Sequence, residues 1–523
     1  MTSLDSEIRN RRINDTGIVK DYENQFSDDN ATKFFQKINW KEKTEKKQKE
    51  FIDNVEKDMK LMFGKLKEVI IEEYDEMTNE TLDSPKKLCN INLKHDMLPE
   101  KQFQNRESVL TNLLNISHIR TVYHMFVAIL IIFSLNTMLT DLIEKGGIIH
   151  TYHLEWVFWA FGGIGDVILL WLSMKSFTIF VYPCFLSWLY VRRMKILPIS
   201  CVNKIYLVVY ILTQISFVVI PLYFMCLIDL PPCSSAIVVL ENIRLAMKIH
   251  AFIRENVAKE LKSNELIETI NFSRYLYFLF APTLIYRDSY PKNPTIRWSY
   301  VVSNFAQVIF CIVYMYYIFA RFCVVYFQNF NSIHVTMQQL VLSVFGCMLP
   351  ATLVFFICFF CFLHSWLNAF AEMLQFGDRL FYKEWWNSTT FSNYYRTWNV
   401  VVHDWLYTYV YRDILLLCRF NNRAAAMTIV FLFSAVFHEY VLIVMFRFFY
   451  PVLFVLFSGV GFGMMFIKGR ARIWNIGFWV AMFTGNGIIM CLYSMEWYAR
   501  RNCPIYFSTF VDLLVPRSWF CQA

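Results

Sequence analysis

Long apolar runs recur along this chain, and they exclude most architectures before any motif is read. Candidate spans fall at 122–143, 154–174, 177–190, 205–228, 300–326, 340–371, 424–446, 450–467 and 474–498, nine in all. Crossing a hydrocarbon core takes about 20 predominantly apolar residues of helix. Backbone groups in lipid must be satisfied within the segment, which leaves helices as the spanning element at these lengths. Residues 121–523 are therefore read as an all-α polytopic membrane domain of about nine transmembrane helices, with cytosolic amphipathic helices beside the bundle. The balance of residues agrees: 56% are hydrophobic and 18% charged.

Residues 1–120 hold the densest charge, mixed in sign, and form a separate cytosolic region, largely disordered or helical. Within it Phe51, Val55, Met59, Met62, Leu66 and Ile70 recur at helical spacing. That pattern suits a solvated helix or a self-association helix. Met1 opens a polar segment without an apolar core or cleavage site behind it, so no secretory signal is expected. Acceptor sequons at Asn30, Asn79 and Asn115 would stay unmodified in a cytosolic segment. The formal charge of +8 comes without a Lys/Arg run, so a nucleic-acid partner is not expected.

A cytosolic amino terminus and nine spans put the basic segments 234–298, 376–423 and 468–472 inside and the tail after Tyr498 outside, as the positive-inside rule asks. Arg192, Arg193 and Lys195 then fall on the wrong side. Segment 234–261 is weakly amphipathic and charged; 275–300, with three prolines among its aromatics, reads as interfacial. Most of the 14 cysteines lie in apolar segments as small core residues. Cys503 and Cys521 follow the last span and would pair only if that tail faces an oxidising lumen.

Chemistry concentrates after residue 380. His438 lies well inside the 424–446 span, where an ionisable residue is costly and mostly functional or paired. Desolvation favours the neutral imidazole, the form a general base needs. Ser434, four residues earlier, shares its helical face; Glu439 points about 100° away and is expected to meet another helix. Upstream, 394–411 interleaves Tyr and Trp with Arg396, Asn399, His403 and Asp404. If that stretch is helix, Asn399, His403, Tyr407 and Tyr411 share a face with Arg396 close by. Such a face suits a phosphate-bearing, nucleotide-like ligand, or equally a helix lying on lipid headgroups. No Cys/His cluster has metal-ligand spacing, and His438-Glu439 lacks a second His four residues on, so no metal is expected. The glycines of Gly459-Val-Gly-Phe-Gly lie in an apolar span and read as close-packing positions.

Phe381-Tyr382-Lys383-Glu384-Trp385-Trp386-Asn387 resembles the Phe-Tyr-x-Asp-Trp-Trp-Asn signature of membrane-bound O-acyltransferases, with Glu384 in place of Asp. The resemblance extends through 392–411 and Ser434-Ala-Val-Phe-His-Glu-Tyr, and includes Tyr123-His-Met-Phe, 275–290 and the closing Pro516-Arg-Ser-Trp-Phe-Cys. It covers the chain from about residue 118 onward. The signature is shared with diacylglycerol acyltransferases, whereas Tyr394-Tyr-Arg-Thr-Trp-Asn-Val-Val-Val-His-Asp-Trp resembles the sterol O-acyltransferases (acyl-CoA:cholesterol acyltransferases).

By position, the resemblance implies a catalytic His438 and places Asn387 and Asn399 beside the reaction centre, with Asn399 as an oxyanion donor. It implies acyl-CoA contacts at Asn393, Arg396, Asn399, His403, Tyr411, Arg423 and Ser434, a sterol-associated His124, and a lumenal Cys503–Cys521 disulfide. It further implies an endoplasmic-reticulum enzyme with cytosolic amino and lumenal carboxyl terminus, working as a homodimer or a dimer of dimers. Such an enzyme moves a fatty acyl group from acyl-CoA to the 3β-hydroxyl of a membrane sterol and needs no cofactor beyond acyl-CoA as co-substrate. Three rivals stay open: a diacylglycerol acyltransferase, a transporter or channel using His438 and Glu439 as a proton relay, and a protein or peptide acyltransferase.

Overall fold

The computed structural model describes residues 100–145, 154–195, 198–262, 271–328, 336–417, 423–467, 469, 471–505 and 509–521, with Lys46, Lys49 and Asp53. The chain divides into two compact units, Met1–Met97 and Leu98–Ala523. In the first, the three described residues are helical and exposed; Asp53 apart, the periodic stretch 51–73 lies outside the described residues, as do Asn30 and Asn79.

The second unit is helical, and among its described residues seven helices are long and apolar enough to cross a membrane. In chain order the helices are α1 (Val109–Leu114), α2 (Ser117–Lys145), α3 (Leu154–Ala160), α4 (Ile164–Arg193), α5 (Ile199–Ile228), α6 (Pro232–Lys262) and α7 (Phe272–Phe280). Then follow α8 (Trp298–Phe327), α9 (Met337–Met373), α10 (Phe391–Thr397), α11 (400–417), α12 (Arg423–Phe446), α13 (Val452–Met464), α14 (Trp474–Asn502) and α15 (Thr509–Leu514). Thr336 and Gln339 close a reciprocal capping box at the start of α9, which satisfies donors the first turn would leave unpaired. Four helices carry π-helical turns, at Phe319–Val324, Phe359–Trp366, Leu406–Tyr411 and Leu456–Gly461. Such turns collect at functional sites because they re-aim side chains.

Two expected spans, 154–174 and 177–190, form one continuous apolar path over Glu155–Arg193. The sequence invites a break at Lys175, but that ammonium is buried, paired with Glu241 at 3.1 Å and set over the Phe280 ring. A paired cation needs no loop to reach water. The bend lies earlier, at Gly163, whose φ of +68° is one that a Cβ would strain.

Segment 234–261 also departs from expectation. As α6 it packs lengthwise among α4, α5 and α12, and Val238, Val239, Leu245, Ile249, Ala251 and Phe252 are buried. Lys248, fully enclosed, donates to the carbonyls of Phe278, Leu279 and Ala281, three acceptors at the end of α7. The first half of the 275–300 stretch likewise goes inward: Tyr275, Phe278, Leu284, Ile285 and Tyr286 belong to the core rather than to an interface, while 287–300 is exposed or half-buried. A short strap holds the residues before the signature in place. Arg106 exchanges backbone hydrogen bonds with Gly377 and Arg379 and pairs with Asp378 at 2.8 Å.

Candidate active site

The apolar run 423–446 folds as a helix of 24 residues, and His438 is exposed on it while Ala435 and Glu439, on the adjoining face, are buried. Its Nδ1 lies 2.7 Å from the Ser434 carbonyl oxygen. A carbonyl can only accept, so Nδ1 carries the proton and Nε2 is left as the unprotonated nitrogen. The face of the ring stacks on Phe457 at 5.1 Å. Glu439 turns away to accept from Tyr493 Oη and from the Phe454 amide, both at 2.9 Å. It ties α12 to α13 and α14.

The signature residues divide by burial. Phe381, Tyr382 and Trp385 are at most 1% exposed and sit in an aromatic cluster with Phe359 and Trp398. Glu384 and Asn387 are exposed, and the Asn387 amide donates to the Glu384 carboxylate at 2.8 Å. Trp386 is half-buried, and its carbonyl accepts from Asn475. The motif is thus chiefly a packing device that anchors the segment after it.

That segment is not the single helix its spacing suggests. Helix α10 ends at Thr397, and Asn399 breaks the run with φ −132° and ψ 86°. Its Oδ1 accepts from the Val402 amide at 3.2 Å, capping α11 and leaving Nδ2 to donate elsewhere. Arg396 and Asn399 therefore belong to different helices, and the expected shared face is interrupted between them. Beyond the break the pattern holds in part: Tyr407 and Tyr411 stack at 5.6 Å on the π turn, which packs against α12. His403 Nδ1 lies 3.5 Å from Asp404, which pairs with Lys101 at 2.8 Å. Burial would raise the Asp404 carboxyl, but the His403 hydrogen bond and Lys101 outweigh it and hold that group below the ordinary range.

Of the remaining positions, Asn393 is exposed and donates to Ser388. Arg396 and Arg423 are exposed, and neither has an ion-pair partner among the described residues. Ser434 is half-buried and contributes its carbonyl to His438. His124 is exposed on α2, beside Tyr123, and no described contact joins it to His438. A disulfide joins Cys503 to Cys521, with Cα atoms 5.8 Å apart. No group of three or more His, Cys, Asp or Glu that could hold a metal occurs among the described residues.

Three further residues escape sequence reasoning. His364 is 4% exposed in α9 and shares a hydrogen bond of 2.7 Å with Tyr382 Oη. Phe457 and Tyr395 link the aromatic segment to the His438 ring through contacts at 5.1 and 5.2 Å. Nothing in their spacing marks them among 51 phenylalanines and 29 tyrosines. An apolar groove of about 750 Å³ runs between α9 and α14, lined by Val344, Met348, Trp479, Phe483 and Ile488 among others.

A histidine with a defined free nitrogen, an amide with a free donor and a polar aromatic segment linked to that histidine by ring contacts make an acyl-transfer site chemically feasible. Comparison with known proteins agrees. The membrane-bound O-acyltransferase family matches residues 233–495. The chain is 48% identical over 434 residues to sterol O-acyltransferase 1 of Mus musculus, covering 81% of this chain and 79% of that one. It is 49% identical over 438 residues to sterol O-acyltransferase 1 of Cricetulus griseus, covering 81% and 79%. Against sterol O-acyltransferase 2 of Homo sapiens it is 42% identical over 429 residues, 81% of each. The chain belongs to the membrane-bound O-acyltransferase family, alongside the sterol O-acyltransferases.

Proposed function

We propose that this protein is an acyl-CoA-dependent sterol O-acyltransferase, esterifying the 3β-hydroxyl of cholesterol or a related sterol and releasing CoA. The observation that carries the reading is the His438 hydrogen bond to the Ser434 carbonyl, which leaves Nε2 free to take a proton. In the proposed step Nε2 accepts the sterol hydroxyl proton as that oxygen attacks the thioester carbonyl. Asn399 Nδ2 donates to the carbonyl oxygen as negative charge develops. The C–S bond then breaks, and the CoA thiolate takes up the proton held on His438. No covalent enzyme intermediate is required, because a thioester is already activated.

Acyl-CoA reaches the site from the polar aromatic segment. Arg396 and Arg423 supply charge for its phosphates, and Asn393, His403, Tyr411 and Ser434 supply hydrogen bonds and stacking. Sterol arrives through the bilayer, for which His124 on the lipid-facing α2 and the apolar groove beside α9 are candidate contacts.

We further infer the orientation. Joining 154–174 and 177–190 into one crossing returns Arg192, Arg193 and Lys195 to the amino-terminal side, which removes the conflict with the positive-inside rule. Helix α6, with 31 residues, extends about 46 Å and makes the return crossing. With the shorter α13 as a further crossing, the segment 376–423 is cytosolic and the Cys503–Cys521 tail is lumenal, in the endoplasmic reticulum. A homodimer, or a dimer of dimers, is the assembly we propose.

The test supplies purified protein with radiolabelled oleoyl-CoA and either cholesterol or diacylglycerol in detergent. Labelled sterol ester is expected, and its loss in His438→Ala at unchanged yield. Diacylglycerol as the sole acceptor would reassign the substrate. Wild-type turnover in His438→Ala would remove the base.

A further inference from the structure

Phe457 lies on the π turn of α13, and its ring stacks on the His438 imidazole at 5.1 Å and 23°. Phe457 is itself gripped. It stacks on Phe431 of α12 at 4.6 Å and meets Tyr395 of α10 edge-on at 5.2 Å. Tyr395 also meets Phe431 at 4.9 Å. Rings from three helices therefore close a triangle, and the imidazole leans on one corner of it. The Tyr395 hydroxyl reaches as far as Gly461, where an added Cβ would fall 2.5 Å from it. The same Cβ would lie 3.2 Å from the Leu456 carbonyl and 3.7 Å from Tyr395 Cζ. Of the three, only the hydroxyl lies closer than 3.0 Å, so a Cβ at position 461 requires the tyrosine to shift.

We propose that Tyr395 and Phe457 are positioning residues for acyl transfer, a wedge seated over Gly461 that fixes the plane of the His438 ring. The proposal rests on the reading of His438 as the base. One hydrogen bond through Nδ1 leaves an imidazole free to tilt; a ring stacked on its face removes that freedom and aims Nε2. Tyr395 belongs to the same helix as Arg396, so the wedge also joins the acyl-CoA segment to the base. Misplacing reacting groups by about 1 Å can lower a rate about a hundredfold, which sets the scale of the effect.

The test compares Gly461→Ala, Tyr395→Phe and the double variant of the full chain, purified in detergent and assayed with radiolabelled oleoyl-CoA and cholesterol. Gly461→Ala drives the tyrosine off its seat and lowers kcat by roughly 10- to 100-fold, with KM for oleoyl-CoA changed by less than about twofold. Tyr395→Phe keeps the ring triangle and removes the oxygen that a Cβ would strike. It loses less than about threefold, and the double variant recovers to within about threefold of it. Unchanged kcat in Gly461→Ala, or no recovery in the double variant, overturns the proposal. If Gly461→Ala fails to fold, recovery of yield without recovery of kcat in the double variant overturns it too. His438→Ala, run alongside, separates the two readings: wild-type turnover there removes the base, whereas its inactivity beside a fully active Gly461→Ala removes only the wedge.

Discussion

Asn399 holds two jobs that one pair of substitutions separates. Its Oδ1 caps α11 by accepting from the Val402 amide at 3.2 Å, and its Nδ2 is the proposed donor to the developing oxyanion. Asparagine to alanine removes both. Losing an N-cap costs about 1 kcal/mol of stability, and losing an oxyanion donor costs about 3 kcal/mol of transition-state binding, or roughly a hundredfold in kcat. Asparagine to aspartate keeps an acceptor oxygen for Val402 and is as good a cap, but it has no N–H to donate. Asn399→Asp should therefore melt with the wild type and still lose at least about a hundredfold in turnover. Asn399→Ala should lose turnover and also unfold more easily. Initial rates of labelled sterol ester formation at saturating oleoyl-CoA, with melting followed by tryptophan fluorescence, read the two effects independently. Retention of a third or more of wild-type turnover in the aspartate variant would refute the donor role. A loss confined to KM for oleoyl-CoA would make the residue a binding group.

Two further predictions concern stability. Lys248→Met should destabilise by about 1–3 kcal/mol, because the buried Phe278 carbonyl loses its donor while the Leu279 and Ala281 carbonyls keep Arg244 and the Thr283 amide, and an unpaired buried acceptor costs about that much; an unchanged melting temperature would show that water replaces it. In the tail, the Arg517 hydrogen bonds hold the Asp512 carboxyl below its usual range. A depressed folded value means this stabilisation is fully present above the unfolded pKa, about 3.9, and is lost as pH falls through the folded value. Acid should therefore loosen the tail below about pH 4, read as proteolysis near Cys521, and Asp512→Asn should abolish that pH dependence.

The membrane architecture and the family were legible in the sequence because each rests on local composition or on a run of adjacent residues. Apolar length announces a span whatever it packs against, and an imidazole within one is conspicuous. Element boundaries were less legible wherever a charge found its partner far along the chain. Lys175 reads as a loop residue until Glu241, 66 positions on, neutralises it at 3.1 Å. Segment 234–261 reads as surface until α4, α5 and α12 close around it. The helical spacing of Arg396 with Asn399 misled for the opposite reason, since a side chain that caps its own backbone ends one helix and starts another.

Sequence alone determined that the chain is an all-helical membrane protein with an acyltransferase signature, since hydrophobic length and short motifs are properties of neighbours in the chain. Only the tertiary structure decided which nitrogen of His438 is free, that Phe381, Tyr382 and Trp385 are core rather than pocket, and that Phe457 stacks on the imidazole with Tyr395 and Phe431 against it. Those facts depend on groups from separate helices meeting within a few ångströms, and no pattern along one strand of sequence encodes such a meeting.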